Sequence, residues 1–455
     1  MDQLRDKCGI FGIYDNNDSL DVSRMIYLSL YALQHRGQES CGISVANGQV
    51  IHSYRNTGLV HDVFNNNILS KLKGRIGIGH VRYSTTGAST QENAQPIIVD
   101  YRDGSMALAH NGNLINAGVL RQQMGAEGSV FITGSDTELF LKIICKNLVN
   151  SENIQEAITK TMRIIKGSYA VVLLMQGKLI AFRDPCGIRP LCIGIVKNSY
   201  MVSSESCAFP VLGGKLLREV KPGEIIVIDE KGIHSYATTK ENNSSLCVFE
   251  FVYFARPDSY MGNTSIHQSR IEAGKRLAIE HPVEADLVIG VPDSALSAAL
   301  GYARQSGIQF GHGLIRNRYV GRTFIQPTQE LREAAVRIKF SSLANEVEGK
   351  RIVMVDDSIV RGTTTRIIVN ILKEAGAKEV HLRISSPPVK FPCYYGIDIA
   401  TTSQLIASKF SADEICRLVG ADSLSYLSIE GLLSTLIKST CGLCSACFTG
   451  DYCVQ

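Results

Sequence analysis

The chain has 455 residues, 47 basic and 43 acidic side chains, and a formal net charge of +4. That length predicts two or three domains with ample core, and the near balance of charge, without a dense Lys/Arg block, argues against a nucleic-acid or membrane-surface binder. No apolar run nears the ~18 residues of a spanning helix and the N-terminus lacks an apolar signal core, which predicts a cytoplasmic protein.

In chain order, Met1–Lys7 is a polar lead, too short for a signal peptide, that runs into Cys8, Gly9 and the apolar "IFGI". On those residues alone, Cys8 begins nothing more than an edge strand. From there to about 235, apolar stretches such as "GRIGIGHVRYS", "SMALAHNG" and "YAVVLLMQGKLIAF" are bounded by Gly, Asn and Asp turns. Helical patterns lie between them at "DVSRMIYLSLYALQH" and "DTELFLKIICKNLV". The expectation is two mainly antiparallel sheets covered by helices. The polar "TTKENNSSL" (238–246) is the boundary.

Beyond it, continuous apolar strands alternate with helices, as in "ADLVIGVPDSALSAALGYARQSG", which predicts βαβ units and a buried parallel sheet. The strand "RIVMV" ends in Asp356–Asp357, and the loop passes Ser358, Arg361, Gly362 and Thr363–Thr365 into a helix. Ligands of open α/β sheets sit at such strand ends. Helix N-terminal N–H groups with threonine hydroxyls form an anion cradle, and Gly362 admits a phosphate closely. The paired carboxylates suit sugar hydroxyls, Mg²⁺ or a developing positive charge.

Thirteen cysteines, an odd and irregular set with no secretory signal, speak against a disulfide framework. In the tail, Cys441, Cys444 and Cys447 repeat every three residues, a spacing that suits Zn or an iron–sulfur cluster without choosing between them.

"IVMVDDSIVRGTTT" resembles the phosphoribosyl pyrophosphate (PRPP) motif of type I phosphoribosyltransferases. The resemblance implies that Asp356 and Asp357 contact ribose hydroxyls, that Ser358, Arg361, Gly362, Thr363 and Thr364 hold the 5′-phosphate, and that "GVPDSAL", with Asp293 and Ser294, is the pyrophosphate loop. Ser294, Asp356 and Asp357 match its Mg²⁺ positions. In the first half, "LQHRGQES", "GHVRYSTTG", "AHNGNL" and "TGSDTE" resemble the glutaminase domain of N-terminal nucleophile amidotransferases.

Together, over nearly all the chain and in the same order, these motifs resemble the glutamine PRPP amidotransferase family. The implied fold is α/β and α+β: an αββα glutaminase domain (8–240) after a pro-segment (1–7), then a parallel-sheet phosphoribosyltransferase domain (241–410) and a helical, cysteine-rich tail (411–455). The implied chemistry starts with thiolate attack by Cys8 on the glutamine amide. No histidine adjoins Cys8 in the sequence; a free α-amino group on the cysteine itself, pKa ~8, could serve as the base, which demands removal of residues 1–7. Asn111 and the Gly112 N–H form the oxyanion hole, Arg82 takes the substrate carboxylate and Asp136 its ammonium. Ammonia then displaces pyrophosphate from PRPP to give 5-phosphoribosylamine, the committed step of purine synthesis. Purine nucleotide feedback and a homo-oligomer, dimer or tetramer, are also implied.

The basic segment 311–340 resembles the family's loop that closes over PRPP. One branch of the family carries a [4Fe–4S] cluster, and its ligand positions fall on Cys247, Cys393, Cys444 and Cys447, with Cys441 competing for the place of Cys444. Cys453 stands where the family often has proline. A hexosamine-6-phosphate synthase would carry sugar-isomerase repeats in place of the PRPP motif. A PRPP-binding regulator with a degenerate glutaminase domain would not need Cys8, Arg82, Asn111 and Asp136 together.

Overall fold

A computed structural model describes residues 8–83, 90–238, 244–317, 319, 329–397, 401–436 and 442–454. Two antiparallel sheets form the first half. The seven-stranded sheet runs β11 (Lys215–Glu219), β9 (Cys192–Val196), β10 (Ser199–Ser203), β1 (Gly9–Tyr14), β4 (Ile76–Arg82), β2 (Ser40–Asn47), β3 (Val50–Thr57). The six-stranded sheet runs β13 (Gly232–Ala237), β12 (Glu224–Asp229), β8 (Lys178–Arg183), β7 (Gly167–Met175), β6 (Gly104–Leu114), β5 (Ile97–Tyr101). β1 is therefore no edge strand. It lies in mid-sheet because Gly9–Tyr14 pairs with β4 on one side and β10 on the other.

The inner faces meet through Ile10, Ile78, Ala107, Ala109, Val172 and Ile226, small and branched residues that suit close sheet stacking. Outside the first sheet lies the helix Val22–Ala32, capped by Asp21, whose carboxylate accepts the Arg24 N–H at 3.1 Å. Gly77 and Gly79 make room for it: a Cβ on either would come within 2.6 and 2.4 Å of Ile26. The helices Asp136–Val149 and Ile154–Ile164 cover the second sheet through Leu139, Ile143 and Ile158. The order helix, sheet, sheet, helix follows.

The second half begins with the strand β14 (Leu246–Cys247) and a hairpin of β15 (Tyr260–Met261) and β16 (Thr264–Ser265). Its main sheet is parallel, β17 (Leu287–Gly290), β20 (Arg351–Asp356), β21 (Glu379–Ile384), β22 (Ser423–Tyr426), beside the ribbon β18 (Leu314–Arg316)–β19 (Phe340–Ser342). Val288, Val353 and Val355 face one core, and Leu287, Ile289, Ile352 and Met354 the other, so both faces are buried. The expected end of this domain at 410 is too early. β22 pairs with β21, and the helix Ala412–Val419 packs on the same core through Ile415 and Val419, so residues 411–426 belong to the sheet. The strand β23 (Leu443–Cys444) pairs in parallel with β14.

The pro-segment, most of the boundary (239–243), much of the expected PRPP loop (318 and 320–328) and Cys441 lie outside the described residues. Among the described residues, no helix is long and apolar enough to cross a membrane.

Candidate active sites

Cys8 precedes β1 with φ 55° and is buried. Its Sγ lies 3.8 Å from the Tyr83 carbonyl, and the Gly9–Val81 pairing sets it beside Arg82, itself buried at the end of β4. The histidine His80 on β4 reaches across the sandwich, its Nε2 3.2 Å from the His110 carbonyl on β6. That contact brings residues 80–82 level with residues 110–112. Burial, then the nearby Arg82 charge, pushes the His80 imidazole down to about 3, so it is neutral at physiological pH.

Asn111 is fully buried, and among the described residues neither its Nδ2 nor its Oδ1 has a partner. An unmade hydrogen bond in such a place is costly, which marks the amide as kept for something that binds there. Gly112 has φ 140°, and a Cβ would lie 2.1 Å from the Ser168 carbonyl, so only glycine fits. Asp136 opens the helix Asp136–Val149 after the N-cap Ser135. Its Oδ2 accepts the Leu114 N–H at 3.2 Å, and its Oδ1 lies 3.5 Å from His110 Nδ1, so the carboxylate is tied to the strand that carries Asn111.

The sequence motifs left Arg36 without a role. Its guanidinium is fully buried and donates to the Cys8 carbonyl at 3.2 Å and to both Glu250 oxygens at 3.0 and 2.9 Å. It also bonds Glu205, which accepts from Ser259 Oγ at 2.8 Å and Arg256 N–H at 3.0 Å. Burial pushes the Glu205 carboxyl up, but His35, Arg36 and these hydrogen bonds outweigh it and hold the group far below the usual range. A glutamate inside the apolar "VFEFVYF" was the one visible hint of this network.

In the second half, Asp356 and Asp357 are buried where β20 ends. The Asp357 carboxylate accepts Ser294 Oγ at 2.5 Å and Ser358 Oγ at 2.7 Å, and its N–H donates to Asp356 Oδ1 at 2.9 Å. Ser294 follows β17, the neighbour of β20, so two loops at adjacent carboxyl ends share one site. Burial raises both carboxyls, and the Asp357 charge raises Asp356 further. Gly362, left-handed at φ 81°, caps the helix Thr363–Glu374, which leaves Thr363 and Thr364 in its half-buried first turn. The Arg361 guanidinium bonds Gln404, and Asp293 pairs with Arg316 at 2.7 Å. The oxygens of Ser294, Asp356 and Asp357 are the hard donors that Mg²⁺ prefers.

The segments that carry the four cysteines also lie side by side. Cys247 and Cys444 are opposite one another in the β14–β23 ribbon. Cys447 sits in the short helix Ala446–Thr449, and its carbonyl accepts the Lys390 and Phe391 N–H groups, which brings in the segment of Cys393. Burial pushes the Cys247 thiol up to about 12 and raises Cys447 strongly, each with Cys393 as a charged-state neighbour. Thiols so desolvated gain from ligating a cationic group. Among the described residues no three His, Cys, Asp or Glu side chains converge as on one ion. Cys453 touches Cys186 and Cys444.

A glutamine amidotransferase domain model matches residues 80–210 and a phosphoribosyl transferase domain model residues 262–385. Amidophosphoribosyltransferase from Bacillus subtilis (strain 168) is 49% identical over 454 residues, 99% of this chain and 94% of that protein. The enzyme of the same name from Methanothermobacter thermautotrophicus is 48% identical, with 99% and 95% covered. A solved structure of glutamine PRPP amidotransferase from B. subtilis, complexed with ADP and GMP, superposes with a TM-score of 0.92 at 48% identity, covering 98% of each chain. A second, described as the allosteric regulatory enzyme of purine biosynthesis, gives 0.93 at 49% identity, covering 98% of this chain and 96% of that one. With the two domain matches in this order and relatives this similar over nearly the whole chain, the chain belongs to the amidophosphoribosyltransferase family: it is a glutamine-dependent, pentosyl-transferring enzyme of the committed step of purine synthesis.

Proposed function

We propose that the two sites divide the reaction as follows. Once residues 1–7 are removed, the Cys8 α-amino group takes the thiol proton and the sulfur attacks the glutamine carboxamide. Asn111 Nδ2 and the Gly112 N–H receive the oxyanion, while Arg82 and Asp136 hold the substrate carboxylate and ammonium. Ammonia leaves, and water cleaves the γ-glutamyl thioester. In the second site Asp356 and Asp357 bind the ribose hydroxyls of PRPP and the Ser358–Thr364 loop its 5′-phosphate. The carboxylates stabilise the positive charge that develops at C1 as pyrophosphate departs and ammonia adds. Mg²⁺ on Ser294, Asp356 and Asp357 would neutralise the diphosphate. Cys247, Cys393, Cys444 and Cys447 would hold a [4Fe–4S] cluster, which would tie the tail to β14 and to the segment after β21.

The observation that supports the glutaminase assignment most is the buried Asn111 amide, without a partner among the described residues. The enzyme is proposed to be cytoplasmic, homo-oligomeric (dimer or tetramer) and inhibited by purine nucleotides, in keeping with the ADP and GMP in the B. subtilis structure. Anaerobic purification, native and then denaturing intact mass, and iron analysis test the reading together. The expected chain starts at Cys8 and carries about four iron atoms. Glutaminase-active protein that still begins at Met1 would refute the nucleophile, and colourless, iron-free, active protein would refute the cluster.

A further inference from the structure

The dipeptide Tyr394–Tyr395 takes no part in the chemistry above, yet three hydrogen bonds join it to the glutamine half. Asn113 Nδ2 donates to the Tyr394 carbonyl at 2.9 Å. Ser168 Oγ, fully buried, donates to the Tyr395 carbonyl at 2.5 Å, and Arg189 Nε donates to the same oxygen at 3.0 Å.

Asn113 and Ser168 are opposite one another in the β6–β7 ladder, one step beyond the Gly112–Tyr169 pair. The Ser168 carbonyl is also the atom against which the bare Gly112 Cα rests. The backbone that aims the oxyanion donors is thus pinned to β7, and both strands are pinned at that point to the second half of the molecule. Oxyanion donors act because they are held in place before charge develops. Slack of about 0.5 Å or 10–20° in such a group is enough to weaken it.

We infer that Asn113 and Ser168 are positioning residues for the oxyanion pair Asn111 and Gly112, and that they act by gripping the Tyr394–Tyr395 backbone. The inference rests on the oxyanion role given to that pair above.

The test uses the full chain, with Asn113→Ala, Ser168→Ala and, as reference, Asn111→Ala. Both positioning variants are expected to lower kcat for glutamine about tenfold, with KM for glutamine within about twofold and the ammonia-dependent rate unchanged. Asn113 is only half-buried, so Asn113→Ala gives a reading even if Ser168→Ala fails to fold. Wild-type kcat in Asn113→Ala, or equal losses with glutamine and with ammonia, would overturn the positioning role. Wild-type kcat in Asn111→Ala would show instead that the oxyanion assignment has failed, and the positioning role with it.

Discussion

The proposed glutamine site draws Cys8, Arg82, Asn111 and Asp136 from four separate parts of the fold, whereas the proposed PRPP site takes Asp356 to Thr364 from one strand end, one loop and one helix start. In the first, the antiparallel ladders and the His80–His110 contact across the sandwich bring distant residues to one level. In the second, a single βα crossing does the work, with Ser294 from the neighbouring strand. The difference lies in what each site needs. An oxyanion hole requires backbone and amide donors fixed in advance, which strands provide. A phosphate cradle requires N–H groups converging on a concavity, which a helix start provides within a few consecutive residues. The halves are not independent, because Arg36, beneath Cys8, is bound to Glu250.

Four substitutions break or sharpen that contrast. The largest effect is expected from Cys8→Ala: glutamine-dependent synthesis should fall by at least about 10⁴-fold while ammonia-dependent synthesis persists. If both rates fall together, the sites are not separable. Asp357→Asn is the mirror case, with PRPP turnover from either nitrogen source down about 10²- to 10³-fold and basal glutaminase unchanged. Unaltered turnover would remove Asp357 from the PRPP site.

Glu250→Gln probes the connection between halves. It leaves the buried Arg36 and Arg189 charges undercompensated, and should cost about 3 kcal/mol in urea unfolding. The pH dependence of this network follows from Glu205. Its folded-state pKa is depressed, so its contribution is present above the ordinary carboxylate range, about 4.3, and is lost as pH falls below it. A wild-type urea midpoint that does not drop from pH 5 to pH 3 would contradict this. The smallest effect is Gly362→Ala, which forces a Cβ into a left-handed position 2.9 Å from Ile406. KM for PRPP should rise about fivefold, for a strain of about 1 kcal/mol, and an unchanged KM would argue against a tight cradle.

How much could be read beforehand follows the same divide. "DDSIVRGTTT" announced its site because its parts are contiguous, and the helix at "DTELFLKIICKNLV" runs over the very residues its periodicity marks. Cys8, Arg82, Asn111 and Asp136 stood out only as a joint pattern, since each alone has an ordinary structural reading. Arg36 with Glu205 and Glu250 was hidden: its partners lie 169 and 214 residues away, and nothing local ties them together. The mid-sheet place of β1 depends on a register with β10 that no local pattern encodes. β22 was missed for a related reason: four residues of "SLSY" are too short and too mixed to declare a buried parallel strand, and only β21 makes them one.

The place of β1 also imposes a timetable on biosynthesis. It is the first strand of the chain, yet Phe11 is opposite Ser203 and the guanidinium under Cys8 waits for Glu250. At ribosomal rates of about 5–20 residues per second, roughly ten to forty seconds separate the emergence of Cys8 from that of Ser203. The strand that seats the thiol is therefore completed only when the glutaminase half is nearly made, and its charge network only when the second half has begun to emerge. A nascent chain released before residue 203 would leave β1 paired on one side only, with Arg36 still without its Glu250 partner.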